Sequence, residues 1–346
     1  MPKLILSAAV AVGALALLLY WGGIEPAEVW ATMRSISPAT FGIALGIQGL
    51  IYVFRAARLR TVLRVLMRSG AEDVPGARDL TAASAAWILD SHVLPAKIGE
   101  ASLVLHLGRV GVAAEHGLVG LLLSRLFDLL VLSTVLGLTC LALGWSGARP
   151  ELQWLVALGV ALLAGSAVLA FVIVRGGAVL GGVRRGAVRM GVGRSGLGSK
   201  IMRFTERVET ALGEVDRGTL LRVAAWSLPV WAAVLGVYVV LGTGVGLIHA
   251  DGSNLRLFDL LFGASLAIFG SLVPISGFLG FGVLDIGWAW GFAAVGVDEG
   301  VAVATGLAFH TLYLAGVGLL GAIGHAVLIG RSRRRSKSQA AVGTNS

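Results

Sequence analysis

Apolar residues recur along this chain in stretches about as long as a bilayer is thick. The stretches near 4–22, 39–58, 117–143, 152–174, 219–241 and 300–329 each approach or exceed the ~20 residues that a membrane-crossing helix needs. Two further apolar regions, 81–108 and 258–296, are broken in the middle. The first break is Ser91-His92-Val93-Leu94-Pro95-Ala96-Lys97-Ile98-Gly99-Glu100 and the second is Ser271-Leu272-Val273-Pro274-Ile275-Ser276-Gly277. Proline removes a backbone donor and clashes with the preceding turn, so a helix ends or kinks there. Interrupted apolar segments at matching places in two halves of a chain point to a site near the bilayer midplane.

Charge then orients the spans. Arg55, Arg58, Arg60, Arg64, Arg68 and Arg78 follow the second span, nine basic residues from Arg175 to Arg217 fill the central segment, and Arg331, Arg333, Arg334, Arg335 and Lys337 close the chain. Basic loops stay on the cytoplasmic side, so these three regions and both termini are expected there. The loops 23–38, 144–151 and 243–257 are poor in Lys and Arg and are expected outside. Parity makes 81–108 begin and end inside. Its first arm, 81–94, is about 21 Å long as a helix, shorter than the core it would have to cross, so a re-entrant hairpin is expected. Region 258–296 begins and ends outside. Parity leaves it either re-entrant or a pair of full crossings, and its uncharged turn favours a tip buried in protein.

The expected fold is therefore an all-α polytopic membrane protein with two inverted-topology repeats, each holding a broken, re-entrant helical hairpin. A single transmembrane domain covers 1–330. The first repeat is 39–143, the connector is 144–218 with a basic cytoplasmic loop at 176–218, and the second repeat is 219–329. A basic cytoplasmic tail occupies 331–346. Within the central loop, Ile201 to Leu212 reads either as a surface helix with arginines near anionic headgroups or as a solvated loop. The N-terminal stretch is longer than the apolar part of a signal peptide and lacks a small-residue cleavage site, so it reads as a first transmembrane helix.

Composition agrees and excludes some classes. The chain has 346 residues, 56% hydrophobic and 14% charged, against roughly 25% charged in soluble domains. The net charge of +9 resembles that of a nucleic-acid binder. However, the basic residues sit between spans with no aromatic residues interleaved to stack bases, so no nucleic acid is expected. Cys140 is the single cysteine, which excludes an internal disulfide and a cysteine-based metal site. Gly191-Val192-Gly193-Arg194-Ser195-Gly196 fits the dinucleotide glycine pattern but has no strand before it. No paired-histidine zinc motif, nucleophile elbow or phosphate loop occurs, so no metal, cofactor or catalytic residue is expected.

Polar residues at membrane depth are costly and need a reason. The first half holds Asp90, His92, Lys97 and Glu100, then Arg125 and Asp128 three residues apart on one helix face. Lys97 and Arg125 are suited to a lipid phosphate, Arg in bidentate fashion. Glu100 and Asp128 would neutralise them without ligand or carry a proton or ion. The structural alternative is that Arg125 pairs with Glu100 or Asp128 to lock the hairpin. His92 either titrates near neutral pH or caps a backbone carbonyl. In the second half Ser271, Ser276, Asp285, His310 and Tyr313 occupy comparable places, His310 roughly where Arg125 stands in its counterpart.

The stretch from Asp90 to Glu100, followed by Ser124-Arg125-Leu126-Phe127-Asp128, resembles the transmembrane region of lysylphosphatidylglycerol synthases and its stand-alone, flippase-like relatives. That family shows Asn-x-x-Leu-Pro-x-Arg-x-Gly-Glu in a hairpin, then Glu-Arg-x-x-Asp, and later Pro-Gly-Gly-x-Gly-x-x-Glu. Leu94, Pro95, Gly99, Glu100, Arg125 and Asp128 match. Lys97 replaces an arginine, Ser124 a glutamate and Asp285 the late glutamate. The resemblance spans roughly 40–330. It implies translocation of a membrane phospholipid or polyprenyl-linked lipid across the cytoplasmic membrane, with a lipid-biosynthesis enzyme as a partner. The chain stops soon after its last span, so the synthases' aminoacyl-transferase domain is expected to be absent. The rival expectations are a membrane-embedded transferase acting on a lipid-linked sugar and a non-transporting partner of a lipid synthase.

Overall fold

The computed structural model describes residues 25–68, 73–94, 98–145, 152–176, 196–271 and 278–343, with isolated positions 16, 20, 23, 181, 182, 185 and 186. Most of the expected first span at 4–22 lies outside these residues. So do residues 191–195 of the glycine pattern and both break centres, 95–97 and 272–277, with Lys97 and Ser276.

The described residues form helices and no strand. In chain order these are α1 (Pro26–Ser35), α2 (Pro38–Leu66), α3 (Ala77–Val93), α4 (Ser102–Arg109), α5 (Ala114–Trp145), α6 (Trp154–Val174), α7 (Gly196–Gly213), α8 (Arg217–Gly244), α9 (Leu257–Ser271), α10 (Val283–Ala294) and α11 (Glu299–Gly343). Helices α2, α5, α6, α8 and the Glu299–Arg331 part of α11 are long and apolar enough to cross a membrane. The chain is a multi-pass membrane protein. Helix α6 buries only Leu155, Gly159, Ser166 and Ile173 and exposes Val160, Val168 and Phe171, which is the surface of a helix facing lipid.

The ends of α2 and α8 follow from capping. Ser37 accepts a hydrogen bond from the Thr40 N–H, with Pro38 at the first helical position. Asp216 does the same for α8 through Thr219, and this hydrogen bonding holds the Asp216 carboxyl below its ordinary range. The two helices run antiparallel, with Gly236 opposite Ile47 and Gly244 opposite Thr40. Small residues set the other close approaches. A Cβ on Gly159 would stand 2.8 Å from the Gly137 carbonyl between α5 and α6. On Gly324 it would stand 2.6 Å from the Ala82 carbonyl between α11 and α3. Backbone contact of this kind is how helices associate where lipid removes the hydrophobic drive.

Each interrupted region is a helix, a break and a second helix that turns back on it. In the first, α3 leads through the break to a short tight turn at Ile98–Ala101 and then α4. Gly99 is pressed on the backbone of Asp90 and Ser91, where any side chain would collide. In the second, α9 and α10 lie antiparallel, Gly263 against Gly291 and Ala267 against Gly287. The turn between them has Leu279, Gly280 and Gly282 at φ of 60°, 82° and 112°. At Gly280 and Gly282 only glycine adopts this backbone without cost.

One expectation needs correction. The arginines from Arg55 to Arg64 do not lie in a loop, because α2 continues to Leu66. Ala56, Leu59, Val62, Leu63 and Leu66 keep a buried face at helical spacing past the first arginine. Of the two readings of Ile201 to Leu212, the helical one holds. Helix α7 lays Val208 and Ala211 against Val62, Leu66, Val119 and Leu123. Helix α11 carries on through the basic tail to Gly343.

Candidate functional site

A cavity of about 150 Å³ lies between the two interrupted regions, walled by α2, α5, α8 and α11. Described residues flanking the two breaks meet at it. A Cβ built on Gly280 of the second would stand 3.8 Å from His92 of the first and 3.7 Å from His310. Glu100, Arg125, Asp128, His92 and His310, all singled out from the sequence, line it.

The first half supplies an ion network. Arg125 donates from Nε and Nη2 to one carboxylate oxygen of Glu100, the Nε contact being 2.9 Å. Its Nη1 lies 3.5 Å from Asp128 Oδ2. The expected lock between Arg125 and a carboxylate is therefore present with Glu100, while Asp128 is held chiefly by others. Arg58 Nη1 donates to Asp128 Oδ1 at 2.7 Å and to Ser227 Oγ at 3.1 Å. Trp231 Nε1 donates to the same Oδ1 at 3.1 Å. Arg58 and Asp128 are 1% and 5% exposed at their side chains. A pair that deep holds only if both partners stay, since removing one strands a charge in low dielectric. The network joins α2 and α5 of the first half to α8 of the second.

Arg55 is the cation left over. Three arginines, Arg55, Arg58 and Arg125, face the two carboxylates Glu100 and Asp128 of this half. Arg55 Nε and Nη1 are buried with no hydrogen-bond partner among the described residues. Its guanidinium lies 5.4 Å from the centre of the buried Trp87 ring, and that of Arg125 lies 4.7 Å from the same ring. The indole faces help to hold both cations away from water. Tyr52 Oη and Asp128 Oδ2 are likewise buried without a hydrogen-bond partner. Groups of this kind are expected to meet water or a ligand.

The second half supplies a histidine–carboxylate counterpart. His310 Nδ1 lies 2.8 Å from Asp285 Oδ1, and Asp285 Oδ2 accepts the Gly282 N–H at 2.9 Å, capping the first turn of α10. An ionised carboxylate only accepts, so His310 Nδ1 carries the proton and Nε2 the lone pair. That Nε2 is buried beside the cavity with no hydrogen-bond partner among the described residues. The spacing repeats the first half. Glu100 and Arg125 are 25 residues apart, as are Asp285 and His310. A shift of 185 carries Glu100 to Asp285, Arg125 to His310, Asp128 to Tyr313 and the start of α5 at Ala114 to that of α11 at Glu299.

Other residues fall elsewhere or do less than expected. His92 Nδ1 contacts the Ile88 carbonyl at 2.8 Å, the capping role weighed from sequence. Asp90 does not line the cavity; its carboxylate faces His106 and His325. The side chain of Ser271 and all of Lys97 and Ser276 lie outside what is described. Arg55, Arg58 and Trp231 are not among the residues the sequence marks for the site, since arginines that follow a span read as topological charge. The signal was available in the apolar period that continues past them to Leu66.

The family model described as the lysylphosphatidylglycerol synthase TM region matches residues 4–321. A comparison with curated proteins returns no match.

Proposed function

From the premise that this chain belongs to the lysylphosphatidylglycerol synthase TM-region family, we propose that it translocates an anionic lipid headgroup across the cytoplasmic membrane. The family ties the chain to lipid metabolism at a membrane. The finer reading rests on the cavity. Charged and polar side chains line it beside apolar ones, and the buried Arg55 nitrogens that support the reading have no hydrogen-bond partner among the described residues. A phosphate diester supplies the acceptor oxygens and the negative charge that this guanidinium needs. Acyl chains would stay in the lipid while the headgroup passes between the breaks, both hairpins being re-entrant. The constant shift of 185 residues and the opposite directions expected of the halves support an inverted repeat, the arrangement suited to alternating access. The Arg-rich ends of α2, α7 and α11 would face the cytoplasm.

Translocation of headgroup-labelled phospholipids in proteoliposomes tests this. Wild type is expected to move an anionic lipid, and Arg55→Gln to lose at least tenfold of that rate while keeping its fold. Equal rates in wild type and protein-free vesicles across anionic and zwitterionic lipids would reject the proposal.

The Asp285–His310 pair favours one second reading. A carboxylate-oriented imidazole with a bare Nε2 is the geometry of a general base, as a transferase acting on a lipid-linked sugar would need. Such an enzyme would turn over in detergent without any bilayer, and His310→Gln would abolish that turnover.

A further inference from the structure

Outside the cavity, Asp90, His106 and His325 converge from α3, α4 and α11. His106 Nε2 lies 2.8 Å from Asp90 Oδ2, and His325 Nε2 lies 3.0 Å from Asp90 Oδ1. The two imidazoles meet edge to face, with ring centres 5.1 Å apart. All three ligand-type atoms lie within 4.8 Å of one another. We propose that these residues form a binding site for a divalent transition-metal ion of the zinc type, which fastens the first interrupted region to the last helix.

The donor set suits that ion. Two imidazole nitrogens and one carboxylate oxygen are borderline ligands that select zinc and its neighbours over calcium or magnesium. A tetrahedral ion with bonds of about 2.0–2.1 Å sets neighbouring ligand atoms roughly 3.3 Å apart. The contacts to Asp90 need to open by only a few tenths of an ångström to admit it. Exposure is graded across the site: the His106 side chain is 4% exposed, Asp90 21% and His325 29%. The ion would therefore enter from the His325 side and keep a position open there for water.

The packing around the cluster gives the ion something to hold. Gly321 and Gly324 let α11 approach the backbone of α3, and Arg331 of α11 pairs with Asp79 at the start of α3. Asp90 and His106 sit on the two arms of the first interrupted region, so an ion there would bind both arms to α11. Arg109 opposes it. Its Nη1 lies 3.4 Å from His106 Nδ1. A guanidinium only donates, so without metal Nδ1 carries the lone pair and Nε2 carries the proton. Metal on Nε2 requires the other tautomer, and the exposed Arg109 has solvent to turn into. The site is independent of the transport reading.

The test uses tag-free full-length protein in detergent, stripped with chelator and dialysed against Zn²⁺ or Co²⁺. Bound metal is counted by mass spectrometry, and cobalt is followed by its visible absorption. One ion per wild-type chain is expected, with a cobalt spectrum that changes in His106→Gln and in His325→Gln. Affinity should fall at least tenfold in each variant, and Arg109→Gln should bind severalfold more tightly. Wild type that retains no metal above a buffer control overturns the proposal whatever the variants do. So does stoichiometric metal that persists unchanged in the double histidine variant.

Discussion

The two clusters that the 185-residue shift superimposes in sequence have been built with opposite electrostatics. In the first half Glu100, Arg125 and Asp128 are charged, joined by Arg58, and partly open at Arg125, which is 32% exposed. In the second half Asp285 and His310 are 2% and 0% exposed, the third position is Tyr313 rather than a carboxylate, and only Asp285 carries formal charge. One spacing thus serves two tasks. The charged cluster presents cations to the cavity and ties three helices together. The histidine–carboxylate cluster caps α10 and aims one imidazole nitrogen at the same space. A repeated backbone geometry does not require repeated chemistry, because each cluster's character depends on what the neighbouring helices bring to it.

Substitutions can break this contrast, the deepest pair first. Arg58→Leu leaves Asp128 buried without its closest partner and is expected to cost about 3–5 kcal/mol, seen as a large loss of thermal stability in detergent. If Arg58→Leu is no worse than Arg125→Leu, the division between a structural and a working arginine fails. Next comes Asp285→Asn, which weakens the bond to His310 and the cap on α10. A loss of about 1–3 kcal/mol is expected, with increased proteolysis near the 278–282 turn. Glu100→Gln removes one charge from a partly exposed pair and should cost about 1–2 kcal/mol while reducing lipid movement severalfold. The contrast sharpens if Asp285→Asn does the reverse, costing more stability for less activity. Smallest is Arg207→Gln. Its 3.7 Å contact with Glu115 involves an arginine side chain 62% exposed. It should change stability by no more than about 0.5 kcal/mol.

Much of the helical frame was legible in the chain. Spans and interruptions follow from apolar run length and from Pro and Gly placement. These are local properties, and the described residues keep them. The family resemblance rests on Leu94, Pro95, Gly99, Glu100, Arg125 and Asp128, and the last three line the cavity. The arginines of α2 were harder. Positive charge after a span usually marks a loop, and whether a helix carries it inward depends on a buried partner 70 residues away in sequence.

What the sequence determined by itself was therefore the class of protein, the places where its helices cross or break, and the residues too costly to keep at membrane depth without a role. Each follows from the price of leaving backbone or charge unsatisfied in a bilayer, which is paid locally. Tertiary structure alone decided the partners. Arg58 chose Asp128, Arg55 was left in excess, and Asp90 was drawn out of the cavity to His106 and to His325, which lies 235 residues further along the chain. Partner choice depends on which helix faces meet. In this chain that is set by close backbone approaches at glycines such as Gly324, contacts that no periodicity within a single segment encodes.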